Sequence, residues 1–142
     1  MEVMHLPDKI VIGVDIGGTK VRIGAVRANG SLAAEKVVFT EKLFGSQRAE
    51  IVIGDVLRQY MDELDFSEDI FCISIGIPAT LSKDRRTILS APNIPSLDNV
   101  PLGSFLEEYL HIPVYMEKDV NYLLFHDMQA KKIPGVGITI GC

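Results

Sequence analysis

The stretch Gly13-Val14-Asp15-Ile16-Gly17-Gly18-Thr19-Lys20 brings an acid, two adjacent glycines, a hydroxyl and an ammonium into one short segment. Neither Gly17 nor Gly18 places a Cβ in the way, so the backbone there can approach a bulky anion closely. Successive N–H groups from Gly17 to Thr19 can form a small anion-binding nest, with the Thr19 hydroxyl as a further donor and the Lys20 charge beside it. Asp15, at the end of an apolar run, can hold Mg²⁺ directly or through water, because that ion takes hard oxygen ligands and keeps several waters. Together these residues spell binding of a nucleotide phosphate with its cation. Two common phosphate loops do not fit. One wants Gly-Lys followed by Ser or Thr and then a helix, whereas Thr19 precedes Lys20 and a strand follows. The dinucleotide fingerprint needs Gly-x-Gly-x-x-Gly opening a helix, and that spacing is absent. The plainer alternative is a glycine hairpin turn capped by Asp15.

Asp119 stands between an apolar run and a helical stretch, where a carboxylate can act as a general base toward a substrate hydroxyl. The same position suits an N-cap for a helix starting at Val120, worth about 1 kcal/mol, and the two roles are compatible. Asn93 lies between Pro92 and Pro95. Its amide can both donate to and accept from a sugar hydroxyl, and it equally suits a turn.

The elements that must carry these residues follow from periodicity. Lys9–Val14 and Lys20–Val26 read as two strands around the glycine turn, and the Asn29-Gly30 signal leads into a third strand near Ala33–Thr40. Short turns make these three antiparallel neighbours. Val52, Val56, Tyr60 and Leu64, with Ile53, Leu57 and Met61 beside them, recur at helical spacing behind a Ser46 cap. Ile70–Ile77 is almost wholly apolar, as in a strand buried on both faces, central and parallel to the first. Residues 78–101 form a long excursion with a short strand at Arg86–Leu89. A helix over Leu102–Leu110, a strand over His111–Met116, a helix over 120–130 and a strand over Val136–Ile140 complete a mixed α/β sheet with helices on both faces.

The net charge of −5 and scattered Lys and Arg argue against a nucleic-acid surface, which needs clustered cations. The short basic stretches Lys83–Arg86 and Lys131–Lys132 read as solvated loops. No apolar run approaches the roughly 20 residues of a membrane span, and the N-terminus lacks the order of a signal peptide, so a cytoplasmic protein is expected. Cys72 reads as a small core residue, and with Cys142 it offers neither a disulfide framework nor a metal set.

The segment Val14–Arg22 closely resembles the opening of the ROK family of repressors and sugar kinases, a branch of the ribonuclease H-like, actin-like ATPases. Gly76-Ile77-Pro78-Ala79, Ala91–Pro95 and Glu117–Asn121 support it in matching order. The resemblance implies an ATP- and Mg-dependent kinase acting on a hexose. In it Asp119 is the catalytic base, Asn93 contacts the sugar together with Ala79, Lys118 and Asp119, and a homodimer is left open. Lys118 stands where most members carry Asn and Ala79 where Gly is usual; an ammonium cannot accept a hydrogen bond as an amide can. These departures resemble the D-allose kinase branch.

The family's second phosphate loop would follow a strand such as Val136–Ile140, where Gly141-Cys142 closes the sequence. The resemblance therefore implies a single N-terminal ATPase domain over residues 1–142, with the C-terminal lobe absent and little activity alone, because phosphoryl transfer gathers charges from both lobes. A fragment of a sugar-responsive repressor has no room for a DNA-reading helix in the eight or so residues before the first strand. A non-catalytic sugar-binding module is the remaining alternative.

Overall fold

The structure, a computed structural model, describes residues 9–27, 30–43, 48–64 and 70–118. Strands β1 (Ile10–Ile16), β2 (Lys20–Arg27) and β3 (Leu32–Phe39) form the expected antiparallel run. A four-residue helix α1 (Thr40–Leu43) ends β3 one residue short of the expectation. Helix α2 (Ala49–Asp62) follows, then β4 (Ile70–Gly76), a small β5 (Thr80–Leu81) and β6 (Ile88–Ser90) pair, α3 (Leu102–Leu110) and β7 (Val114–Glu117). The main sheet runs β3-β2-β1-β4-β7. The β1–β4 and β4–β7 pairs are parallel, so β4 lies beside β1, as its almost wholly apolar sequence suggests.

Ile12, Ile16, Ile23, Ile73 and Ile75 are almost fully buried across adjacent strands. Burying each such side chain contributes about 1.5–3 kcal/mol, enough to fix the register on that face of the sheet. Cys72 is buried within β4, and its sulfur is disulfide-bonded, which nothing in the local sequence announces. Helix α2 turns Ile53, Leu57, Tyr60 and Met61 inward at helical spacing. It starts behind Arg48, which makes no side-chain cap bond; the expected Ser46 cap lies outside the described residues. Helix α3 packs on α2 where Gly54 admits the Tyr109 ring.

His111 does not open the following strand. It closes α3 in the left-handed conformation, φ 60°, with its N–H donating to the Glu107 carbonyl, a geometry more often filled by Gly or Asn. The short strand expected at Arg86–Leu89 sits slightly later, at Ile88–Ser90, where it pairs with β5. The helix expected over 120–130 and the strand over Val136–Ile140 lie outside the described residues. No helix among the described residues is long and apolar enough to cross a membrane.

Candidate functional site

Parallel β-sheets gather ligands at the carboxyl ends of their strands, because the loops leaving those ends converge there. The chain leaves β1 at Asp15–Ile16, β4 at Gly76 and β7 at Glu117, and in the sheet Asp15 is level with Gly76 and Gly76 with Glu117. Three of the sequence segments singled out for chemistry thus exit one end of one sheet. Asp15 is half-buried and is also level with Arg22 on β2.

The loop between β1 and β2 is closed from within. The Gly17 N–H donates to the Lys20 carbonyl at 2.9 Å, and a Cβ on Gly17 would stand 3.0 Å from that same oxygen. The amide of Gly17 is therefore spent on the hairpin and is not a donor for a ligand, which corrects the three-amide nest expected from sequence. Gly18 and Thr19 are exposed, and their N–H groups have no partner among the described residues. Lys20 is exposed as the first residue of β2. Thr40, which nothing in the sequence flagged, is buried behind the loop. Its hydroxyl donates to the Gly17 carbonyl at 2.8 Å and its N–H to the Thr19 carbonyl at 2.8 Å. Both carbonyls are thus tied to Thr40, while Gly18 and Thr19 themselves remain exposed.

Asn93 is brought to this loop by the excursion after β4. The Asp98 carboxylate accepts from the Ala91 N–H at 2.7 Å, and the Ile94 N–H donates to the Ala91 carbonyl at 2.9 Å, closing a turn around Pro92-Asn93. Ala91, Ile94 and Leu97 are buried on the near side of that turn, which leaves Asn93 exposed. Its side chain lies against Gly18: a Cβ at position 18 would be 3.1 Å from the Asn93 Cβ and 3.7 Å from its amide nitrogen. The turn role and the ligand role proposed for Asn93 are thus compatible, since the backbone makes the turn while the side chain faces the loop.

Ala79 and Lys118 meet at a second place, a pocket of about 400 Å³ that Thr80, Lys83, Arg85 and Glu117 also line. Ala79 is buried in a tight bend, its N–H donating to the Ile77 carbonyl at 2.9 Å. The Arg85 guanidinium reaches across to pair with the Glu117 carboxylate at the end of β7. The sequence placed Arg85 in a solvated basic loop and Glu117 at the head of a family motif, but not their pairing, which forms between a loop and a strand far apart in the chain. Asp119, the expected base, lies outside the described residues.

The fit to a nucleotide with its cation rests on this geometry. Two unpartnered, exposed amides beside a hydroxyl suit a phosphate oxygen. Asp15 is one hard oxygen donor close to them in sequence, which matches an ion that keeps most of its waters. Among the described residues no group of three or more His, Cys, Asp or Glu side chains could hold a metal without help from a ligand.

Comparison with known proteins places the chain. Residues 11–133 match the profile of the ROK family. The glucokinase of Streptomyces coelicolor is 30% identical over 112 residues, covering 79% of this chain and 33% of its own length. The glucokinase of Thermotoga maritima is 27% identical over 118 residues, covering 82% of this chain and 35% of its own. A ROK family glucokinase from Streptomyces griseus, solved in complex with glucose and AMPPNP, superposes with a TM-score of 0.66 at 28% identity over 84% of this chain and 36% of that one. The chain thus spans about a third of the length of the relatives it matches. A profile match over most of the chain, a shared mixed α/β fold and the order of the loops lead to one conclusion: this chain belongs to the ROK family.

Proposed function

We propose that the protein carrying this chain transfers the γ-phosphoryl group of ATP to a hydroxyl of a hexose, and that these residues form its N-terminal phosphate-binding half. The observation that supports it most is the contact between Gly18 and Asn93, which sets the phosphate loop directly against the turn read as sugar-binding. A kinase needs donor and acceptor sites adjacent, because in-line transfer depends on positioning within a few tenths of an ångström.

Each residue then has a task. The Gly18 and Thr19 amides hold a phosphate oxygen, and Lys20 adds positive charge nearby. Gly17 serves by closing the turn. Asp15 anchors the hydrated Mg²⁺ that offsets phosphate charge when MgATP is bound. Asn93, Lys118 and Ala79 contact the sugar. Asp119 takes the proton from the attacking hydroxyl. Lys118 is donor-only, so the hydroxyl facing it must accept; D-allose is the first sugar to test because Ala79 and Lys118 resemble the D-allose kinase branch.

Calorimetric titration of the purified protein with D-allose, D-glucose and MgATP, alongside an assay of ADP release, tests this. Saturable binding of a hexose and of MgATP by the 142-residue chain, with turnover only in a longer form, is the expected result. Sugar binding with no response to MgATP points instead to a sugar-responsive regulator. Failure to bind either would leave a structural module and end the kinase reading.

A further inference from the structure

The pocket beside Ala79 carries an excess of positive charge that a neutral hexose does not require. Among the described residues, Lys83, Arg85 and Lys118 line it against one carboxylate, that of Glu117, which is already paired with Arg85. Lys83 and Lys118 are exposed, and neither has an ion-pair partner among the described residues. The acid next to Lys83 in sequence, Asp84, is turned away into its own loop. Its carboxylate accepts from the Ser82 hydroxyl at 2.7 Å and from the Arg86 N–H at 3.0 Å. Those bonds, the Ser82 hydroxyl first, hold its pKa below the ordinary carboxylate value, so it stays ionised and engaged with the turn.

That turn is built rather than loose. The Ser82 N–H donates to the Thr87 carbonyl at 2.9 Å, the Thr87 N–H to the Ser82 hydroxyl at 3.1 Å, and the Arg85 N–H to the Ser82 carbonyl at 2.9 Å. Arg85 sits at φ 59°, a left-handed conformation that a long side chain seldom adopts unless its surroundings enforce it. Arg86 clamps the base of the turn, donating to the Val114 carbonyl at 2.6 Å and pairing with Glu107 at 2.8 Å, while its guanidinium fills the space left by Gly103. Lys83 and Arg85 therefore reach the pocket on a backbone turn ordered in advance, which lowers the entropic cost of gathering them around a ligand.

From this juxtaposition we propose that Lys83, Arg85 and Lys118 form an anion subsite that takes a phosphate group, either inorganic phosphate or the phosphate of a hexose phosphate. Ammonium and guanidinium groups are donors only, so the group they jointly select must be rich in acceptor oxygens and negatively charged. The subsite deepens the kinase reading of the same pocket, and rests on it for the expectation that the anion sits next to the sugar.

The test is titration of the protein with inorganic phosphate and with hexose 6-phosphate at low ionic strength, followed by calorimetry or phosphorus NMR. Lys83→Gln removes one charge without breaking any bond of the turn and is expected to weaken phosphate binding roughly fivefold, the scale of one exposed ion pair. Lys83→Arg should restore it. Hexose 6-phosphate binding more tightly than inorganic phosphate identifies the sugar phosphate as the ligand, whereas equal affinities identify free phosphate. Equal phosphate binding by wild type and Lys83→Gln, which would move the anion to the Gly18–Thr19 amides, overturns the proposal, as does the absence of saturable binding up to tens of millimolar. D-allose and MgATP titrated in parallel separate this from the kinase reading. If both bind while phosphate ignores Lys83, only the subsite falls; if neither binds while phosphate follows Lys83, only the kinase reading falls.

Discussion

Gly18 and Asn93 are in close contact: a single methyl group at position 18 would stand 3.1 Å from the Asn93 Cβ. The glycine makes room for the approach of the amide-bearing side chain to the loop, and in the proposed function it also admits a phosphate to its amide. Gly18→Ala should force Asn93 aside by a few tenths of an ångström. Both residues are exposed, so the fold should lose less than about 1 kcal/mol, in line with surface substitutions. Hexose affinity is expected to fall about tenfold, because the orienting amide moves. A thermal melt beside a sugar titration separates the two effects; an unchanged sugar affinity would detach Asn93 from the substrate.

Asp119→Asn removes the proton acceptor while keeping the shape of the side chain. In the full-length protein kcat should fall by about 10²–10⁴-fold, the range for loss of a general base, with hexose affinity nearly unchanged. Steady-state kinetics with direct binding measurements check this. Near-normal turnover would leave Asp119 only as a helix cap.

Gly54→Ala sets two effects against each other at the α2–α3 contact. Alanine favours a helix over glycine by up to about 1 kcal/mol. Against that, its Cβ would lie 2.5 Å from the Tyr109 ring, and overpacking costs about 1–3 kcal/mol. The ring has little room to yield. Its hydroxyl donates to Asp55, Arg58 stacks over it at 4.3 Å, and Phe105 lies 5.3 Å away in parallel. Steric cost should win, lowering stability by about 1–2 kcal/mol, which a urea midpoint would register.

Tyr60 ties α2 to β3 through its hydroxyl, which donates to the Ala34 carbonyl at 2.8 Å. Burial, with Glu35 adding negative charge, pushes its pKa from 10.0 up to about 12. The folded state therefore keeps the proton longer than the unfolded chain does. The resulting stability is complete below pH 10 and is lost as the pH rises toward about 12, by no more than about 2 kcal/mol once solvent screening is allowed for. Tyr60→Phe should cost about 1 kcal/mol at neutral pH through the lost hydrogen bond, and should flatten this alkaline fall. Denaturation of both proteins at pH 8 and pH 11 measures the difference.

Much of the framework was legible from residue order, for a local reason. Asn29-Gly30 and the glycines after Asp15 dictate tight turns, so β1, β2 and β3 had to be antiparallel neighbours, and the almost wholly apolar run of β4 had to lie inside the sheet. The spacing of Ile53, Leu57 and Met61 likewise settled α2. These signals act within a few residues of one another and survive in any context that keeps the chain folded. Which loop amides stay open to a ligand is a different kind of fact. Gly17 and Gly18 look alike in sequence, yet the Lys20 carbonyl takes one amide, and Thr40 holds the loop from behind. The meeting of Gly18 with Asn93, and the reach of Arg85 to Glu117, join segments remote in the chain. Their distances depend on strand register and helix packing, which only the assembled sheet decides.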